Sequence, residues 1–185
     1  MKLLASLFCL FVALPLAAQA PPQPTAEHQK LAAEAGTWDA VLEMTGEDGK
    51  PITSKGVSER KMGLGGFWLI DDFSAEMMGM PFHGHGVTGY DPNKGRYVQT
   101  WTDSTSPMLM VMEGGYDKTG KVMTMTGMGP GMDGKPVQYR NVSTWKDANS
   151  MLYEIFVTGA DGTEMPMLKI TYTRRVAKAP TKSDK

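Results

Sequence analysis

From Gly36 onward the chain is a succession of ten short segments rich in Val, Ile, Thr, Met and aromatic residues, cut by nine turn signals. The turns fall at residues 46–49, 63–66, 79–81, 91–95, 103–107, 117–120, 127–134, 146–150 and 159–162. Several contain Asp-Gly or Gly-rich pairs, which suit hairpins because glycine accepts positive φ and aspartate tolerates it. Alternation confirms the strand reading. Trp38, Ala40, Leu42 and Met44 share one face of the first segment, opposite Asp39, Glu43 and Thr45. In the last, Leu168, Ile170 and Tyr172 oppose Lys169, Thr171 and Thr173. Each such strand has one dry and one wet face. Ten strands in sequence order would leave two long unpaired edges if the sheet stayed open, and rolling it up pairs them. The expected fold is therefore all-β, an antiparallel up-and-down barrel of about ten strands.

What precedes the strands has a different texture. Lys2, the apolar run Leu3–Leu16, and the small residues Ala17, Ala18 and Ala20 read as a secretory signal spanning residues 1–20, cleaved after Ala18 or Ala20. The run is too short to cross a bilayer, and no later stretch is apolar for long enough. The expected location is thus periplasmic or secreted. The sole cysteine, Cys9, lies inside the signal, so the mature domain has neither a thiol nor a disulfide. Residues 21–25 (PPQPT) form a linker by composition. Ala26 to Ala35 is rich in helix formers and stops at Gly36, where a helix finds its C-terminal cap. One domain over residues 26–176 and a disordered tail over 177–185 complete the expected layout.

Nineteen Lys and Arg against twenty Asp and Glu leave no basic excess of the kind nucleic-acid proteins carry. The sequence also has no G-x-S-x-G elbow, phosphate loop, dinucleotide fingerprint or H-E-x-x-H. Nothing in it names a cofactor, an enzymatic reaction or a protein partner. Two internal echoes stand out: Gly46–Ile52 recurs as Gly131–Val137, and Gly89-Tyr90-Asp91 as Gly115-Tyr116-Asp117. Convergent hairpin chemistry accounts for them more simply than duplication of a half-barrel.

Gly36-Thr37-Trp38, after a short helix and at the start of the first strand, resembles the G-x-W entry motif of calycins. That resemblance implies Trp38 across the closed end of the barrel, with an Arg from the last strand over its ring. By alternation Arg174 shares the face of Leu168, Ile170 and Tyr172, and a cation–π contact of this kind is worth about 0.5–2 kcal/mol. Longer stretches resemble one bacterial family, the domain of unknown function 1579. They are Gly65–Trp68, Pro81–Asp91, Trp101–Ser104 and Tyr172–Arg175. The similarity spans about Glu34 to Arg175 and implies a calycin-type (lipocalin-like) barrel in an exported bacterial protein. It carries no catalytic or binding residues over.

Three groups of residues bear on function. Met108, Met110 and Met112 alternate on one strand, Met123 and Met125 on the next, and Met165 and Met167 on the last. Facing inward, they make a pliable apolar lining for a small ligand, or simply a core. Trp68, Tyr90, Tyr97 and Trp101 belong to the same expected lining or to its closure. His83 and His85 leave one strand on the same face about 7 Å apart, a spacing from which two imidazoles converge on one metal. With Met77, Met78 and Met80 nearby, and Met80 as the nearest thioether donor, such a site favours copper. Finally, Asp71 and Asp72 are adjacent in a strand, so one carboxylate points inward and needs a partner such as an arginine. Three functions follow: a carrier of a small apolar or amphipathic molecule, a copper-binding protein, or a structural barrel with a filled interior.

Overall fold

The computed structural model describes residues 21–46, 49–131, 134–159 and 161–176. The expected signal segment and C-terminal tail lie outside them. One short helix, α1 (Ala26–Ala32), precedes ten strands: β1 (Gly36–Thr45), β2 (Pro51–Gly63), β3 (Trp68–Met77), β4 (Met80–Asp91) and β5 (Arg96–Asp103), then β6 (Ser106–Tyr116), β7 (Val122–Pro130), β8 (Pro136–Asp147), β9 (Ser150–Thr158) and β10 (Glu164–Arg174). Each strand pairs antiparallel with the next, and β1 also pairs with β10, so the sheet closes into a barrel with no free edge. The register at the closure sets Trp38 opposite Arg174 and Leu42 opposite Ile170.

Alternation sets the inside. On β1, Trp38, Ala40 and Leu42 are buried while Asp39 and Val41 are exposed. On β3, Leu69 and Phe73 are buried and Asp72 faces water. The turns at the two ends differ in kind. At the end away from α1, three hairpins close with one hydrogen-bond pattern. The Gly46, Gly131 and Gly159 amides donate to the carbonyls of Lys50, Lys135 and Thr163, and those of Gly49, Gly134 and Gly162 donate back to the first glycine. The third hairpin lies outside the Gly46/Gly131 sequence echo, so hairpin chemistry alone produces the pattern.

The other end is closed by α1. Thr25 and His28 form a reciprocal capping box at its start. The helix ends at Ala32, three residues before the expected stop, because the carbonyls that would extend it are used elsewhere. Arg174 donates to the carbonyls of Ala33 and Ala35, and Trp38 Nε1 donates to that of Glu34. The Arg174 guanidinium also lies 4.0 Å from the Trp38 ring centre, and Trp38 is fully buried. Gly36 is required here: at φ +138° a Cβ would stand 2.6 Å from Arg174 Nη1. Leu31 enters the barrel end, and the Tyr97 hydroxyl donates to the carbonyl of Glu27.

Candidate functional site

Two apolar clusters face the interior. One holds Leu69, Tyr97, Met112, Met123, Met125 and Tyr139; the other holds Leu42, Phe73, Met151, Ile170 and Tyr172 around Trp38. They share no member. Between them runs a polar band carried by β2, β3, β8 and β9. Arg60 Nε donates to Ser58 Oγ at 2.9 Å and to Asp71 Oδ2 at 3.1 Å, and its Nη1 donates to Glu34 Oε2 at 3.2 Å. The guanidinium stands 4.8 Å from the ring centre of Tyr172 and 5.8 Å from that of Trp38. Ser58 donates to Asp71 Oδ1, and Tyr116 donates to Glu34 Oε1. A buried charge is tolerable only when paired and hydrogen-bonded in this way.

The electrostatics follow from this enclosure. Burial pushes the Glu34 carboxyl above the ordinary carboxylate range, against the opposing pull of Arg60 and the Tyr116 hydrogen bond. Burial likewise raises the phenols of Tyr153 and Tyr172, with Asp71 adding to the effect and Arg60 opposing it. These hydroxyls therefore stay protonated at any ordinary pH.

Asn141, on β8, links the two clusters. Its Nδ2 donates to Met112 Sδ at 3.2 Å and to Tyr153 Oη at 2.6 Å. Because a thioether only accepts, the amide nitrogen belongs on the Met112 side. Oδ1 is buried and has no partner among the described residues. Asp71 points inward at mid-strand, yet its side chain keeps 20% of its accessible surface. Met110, Trp101 and Leu168 also face inward and are only partly buried. These inward-facing side chains therefore keep solvent-accessible surface inside the barrel wall.

A scan of family models matches residues 23–174 to the family described as "Protein of unknown function (DUF1579)". The chain belongs to DUF1579. Its ten-stranded barrel fits a calycin-like fold. Among solved structures it is similar to Rv2717c of M. tuberculosis, with 15% identity and a TM-score of 0.64, covering 82% of this chain and 99% of that one. It also resembles the S-type phycobiliprotein lyase CPES of Guillardia theta, with 10% identity and a TM-score of 0.56, covering 84% and 100% of the two chains. No curated protein matches the sequence.

On this DUF1579 barrel the residues singled out from the sequence fall in different places. Met112, Met123 and Met125 are buried inside, and Met110 is partly buried beside Tyr139. Met108 shares their face but sits at the open rim, 40% exposed. Met165 and Met167, at the same rim, are half exposed. Tyr90 points inward near the closed end, edge-on to His28 and Tyr97. Trp101 lies inside against Phe73, and its indole occupies the space that side chains at positions 84 and 86 would need. Trp68 is a correction to the expected lining: it alternates with buried Leu69, lies on the outer face, and covers Gly89. A residue on that face cannot touch the interior.

The histidine strand is explained by the same packing. Gly84 and Gly86 face inward beneath Trp101, so His83 and His85 must face outward. They border a shallow outer depression with Glu59, Asp72 and Thr102. His85 Nδ1 lies 2.7 Å from Asp72 Oδ1, and this contact holds the Asp72 carboxyl below its ordinary range. Among the described residues no group of three or more His, Cys, Asp or Glu side chains is arranged to hold a metal. Met78 and Met80 are exposed at the β3–β4 turn.

Arg60, Glu34 and Asn141 were not singled out from the sequence. The signal for Arg60 was present, since it shares a strand face with Ser58, Gly56 and Met62. Asn141 belongs to a glycosylation-type tripeptide, which its mid-strand position already set aside, and it is buried.

Proposed function

We propose that this exported barrel binds a small, partly apolar molecule in its interior. The observation that carries the reading is incomplete filling: inward-facing side chains at mid-barrel, Asp71 foremost, keep accessible surface although the wall closes around them. Met110, Met112, Met123, Met125 and Trp101 supply an adaptable apolar and aromatic lining on the same inner surface. The open end, away from α1, is the entrance, and Met108 and Met165 flank it. Among the described residues no helix is long and apolar enough to cross a membrane. The likeness to the phycobiliprotein lyase fits a barrel that handles a small molecule, as a matter of fold only.

Native mass spectrometry of protein purified from its own host, under conditions that preserve non-covalent complexes, tests the reading. A discrete mass above that of the mature chain, lost on denaturation and absent from a variant with Met112→Trp and Met125→Trp, is the expected result. A bare chain, together with no uptake of an apolar fluorescent probe such as anilinonaphthalene sulfonate, removes the carrier reading.

A further inference from the structure

The polar band tells which headgroup the interior accepts. This inference rests on the carrier reading above. Arg60 is the group that would capture an anionic ligand, yet its charge is already met. It faces Asp71 at 3.1 Å and Glu34 at 3.2 Å, and Ser58 takes a further contact from its Nε. Even with Glu34 protonated, Asp71 balances it. A carboxylate ligand entering here meets a site with no surplus positive charge and at least one resident carboxylate, so it loses its hydration without gaining an ion pair.

What is unmet in the band is acceptor capacity. Asn141 is 5% exposed, and its Oδ1 has no donor among the described residues. Leaving a buried acceptor without a donor is costly, and native proteins rarely do so without a reason. Asp71 adds a partly accessible carboxylate: Oδ1 accepts from Ser58 and Oδ2 from Arg60, and each oxygen has lone-pair capacity for a further donor. Nearer the rim Asp103 accepts from Trp101 Nε1 at 3.1 Å, placing another carboxylate on the path inward. The Tyr153 and Tyr172 hydroxyls both donate and accept, so they do not discriminate between headgroups, while their rings and that of Trp101 favour a cation.

We propose that the interior selects an amphiphile whose polar end donates hydrogen bonds, an ammonium above all and then a hydroxyl, with Asn141 Oδ1 and the Asp71 carboxylate as acceptors, and that it discriminates against carboxylates. The apolar end lies against Met110, Met112, Met125 and Trp101.

The test is isothermal titration of the full mature chain at neutral pH with three matched probes, octylamine, octanol and octanoate, on the wild type, Asn141→Leu and Asp71→Asn. In the wild type octylamine binds tightest, octanol next, and octanoate about tenfold or more weaker than octylamine, the factor that one charge-assisted hydrogen bond supplies. Asn141→Leu weakens octylamine and octanol by about tenfold and leaves octanoate unchanged. Asp71→Asn removes one of the two carboxylates that face Arg60, which raises octanoate affinity about tenfold while lowering that of octylamine. Near-ultraviolet circular dichroism shows that each variant retains native packing, and either variant alone suffices to read the preference. Octanoate binding as tightly as octylamine overturns the headgroup inference and leaves the carrier reading standing. An unaltered preference in both folded variants overturns the assignment to Asn141 and Asp71. No heat and no displacement with any of the three probes overturns both readings.

Discussion

The two ends of the barrel are built from the same strands and do opposite things. At the helix end the buried polar groups are paired: Trp38 donates to the Glu34 carbonyl, Arg174 clamps the carbonyls leaving α1, and Tyr97 and Tyr116 reach across to Glu27 and Glu34. At the open end, Met80, Met108, Leu109, Met165 and Met167 lie at or beyond two-fifths exposure. A closed barrel has no edge to protect; α1 plugs one mouth, and the other is where the proposed ligand would enter. The contrast teaches that the methionines have two roles in one chain. Those deep on the inner face pack as core and lining, while those at the rim form a flexible apolar border.

Substitutions at the two ends sharpen this contrast. The largest loss is expected for Trp38→Ala, about 3–5 kcal/mol by denaturant unfolding, because a large buried ring leaves a void that its neighbours cannot fill. A loss under about 1 kcal/mol would show that the floor is not what holds the barrel. Arg60→Met removes the partner of Asp71 and Glu34, leaving carboxylates inside without a counter-charge. About 3 kcal/mol of destabilisation is expected, recovered in part by combining it with Asp71→Leu.

Glu34 supplies a pH test of the same end. Burial raises its carboxyl above the ordinary 4.5. Its contribution is therefore fully present below that value and is lost as pH rises through the folded-state value. The stability of the wild type relative to Glu34→Gln accordingly declines from acid toward neutral pH, measured as unfolding midpoints across that range. A difference that grows with pH would contradict the burial of Glu34. The smallest effect is expected at the rim, where Met108→Ser shifts stability by less than about 0.5 kcal/mol. An equal loss at rim and floor would erase the distinction between the two ends.

Much of this was legible in the residues alone. Alternation along β1 and β10, with Asp-Gly turns between, was enough for ten antiparallel strands and for closure. The calycin resemblance implied an arginine of the last strand over Trp38, and counting along that strand chose Arg174. The Asp71-Asp72 pair also announced that one carboxylate would face in and require a partner. The copper reading of His83 and His85 rested on their shared face, and that face is the outer one. Trp68 was read with the other strand aromatics as lining or closing the interior, and its residue type alone does not say which face of the strand it takes.

The sequence by itself determined the architecture, because period-two patterning and turn chemistry are local properties, and ten strands in order have one economical way to hide their edges. Only the tertiary structure decided the interior. Glycines at 84 and 86 carry no side chain to reveal a face until Trp101 is seen lying over them. Arg60, Asp71 and Glu34 come from β2, β3 and the segment after α1, and only register and the docking of that segment bring them within hydrogen-bond reach. Asn141, whose oxygen finds no donor among the described residues, comes to lie between two apolar clusters only because the barrel closes around it.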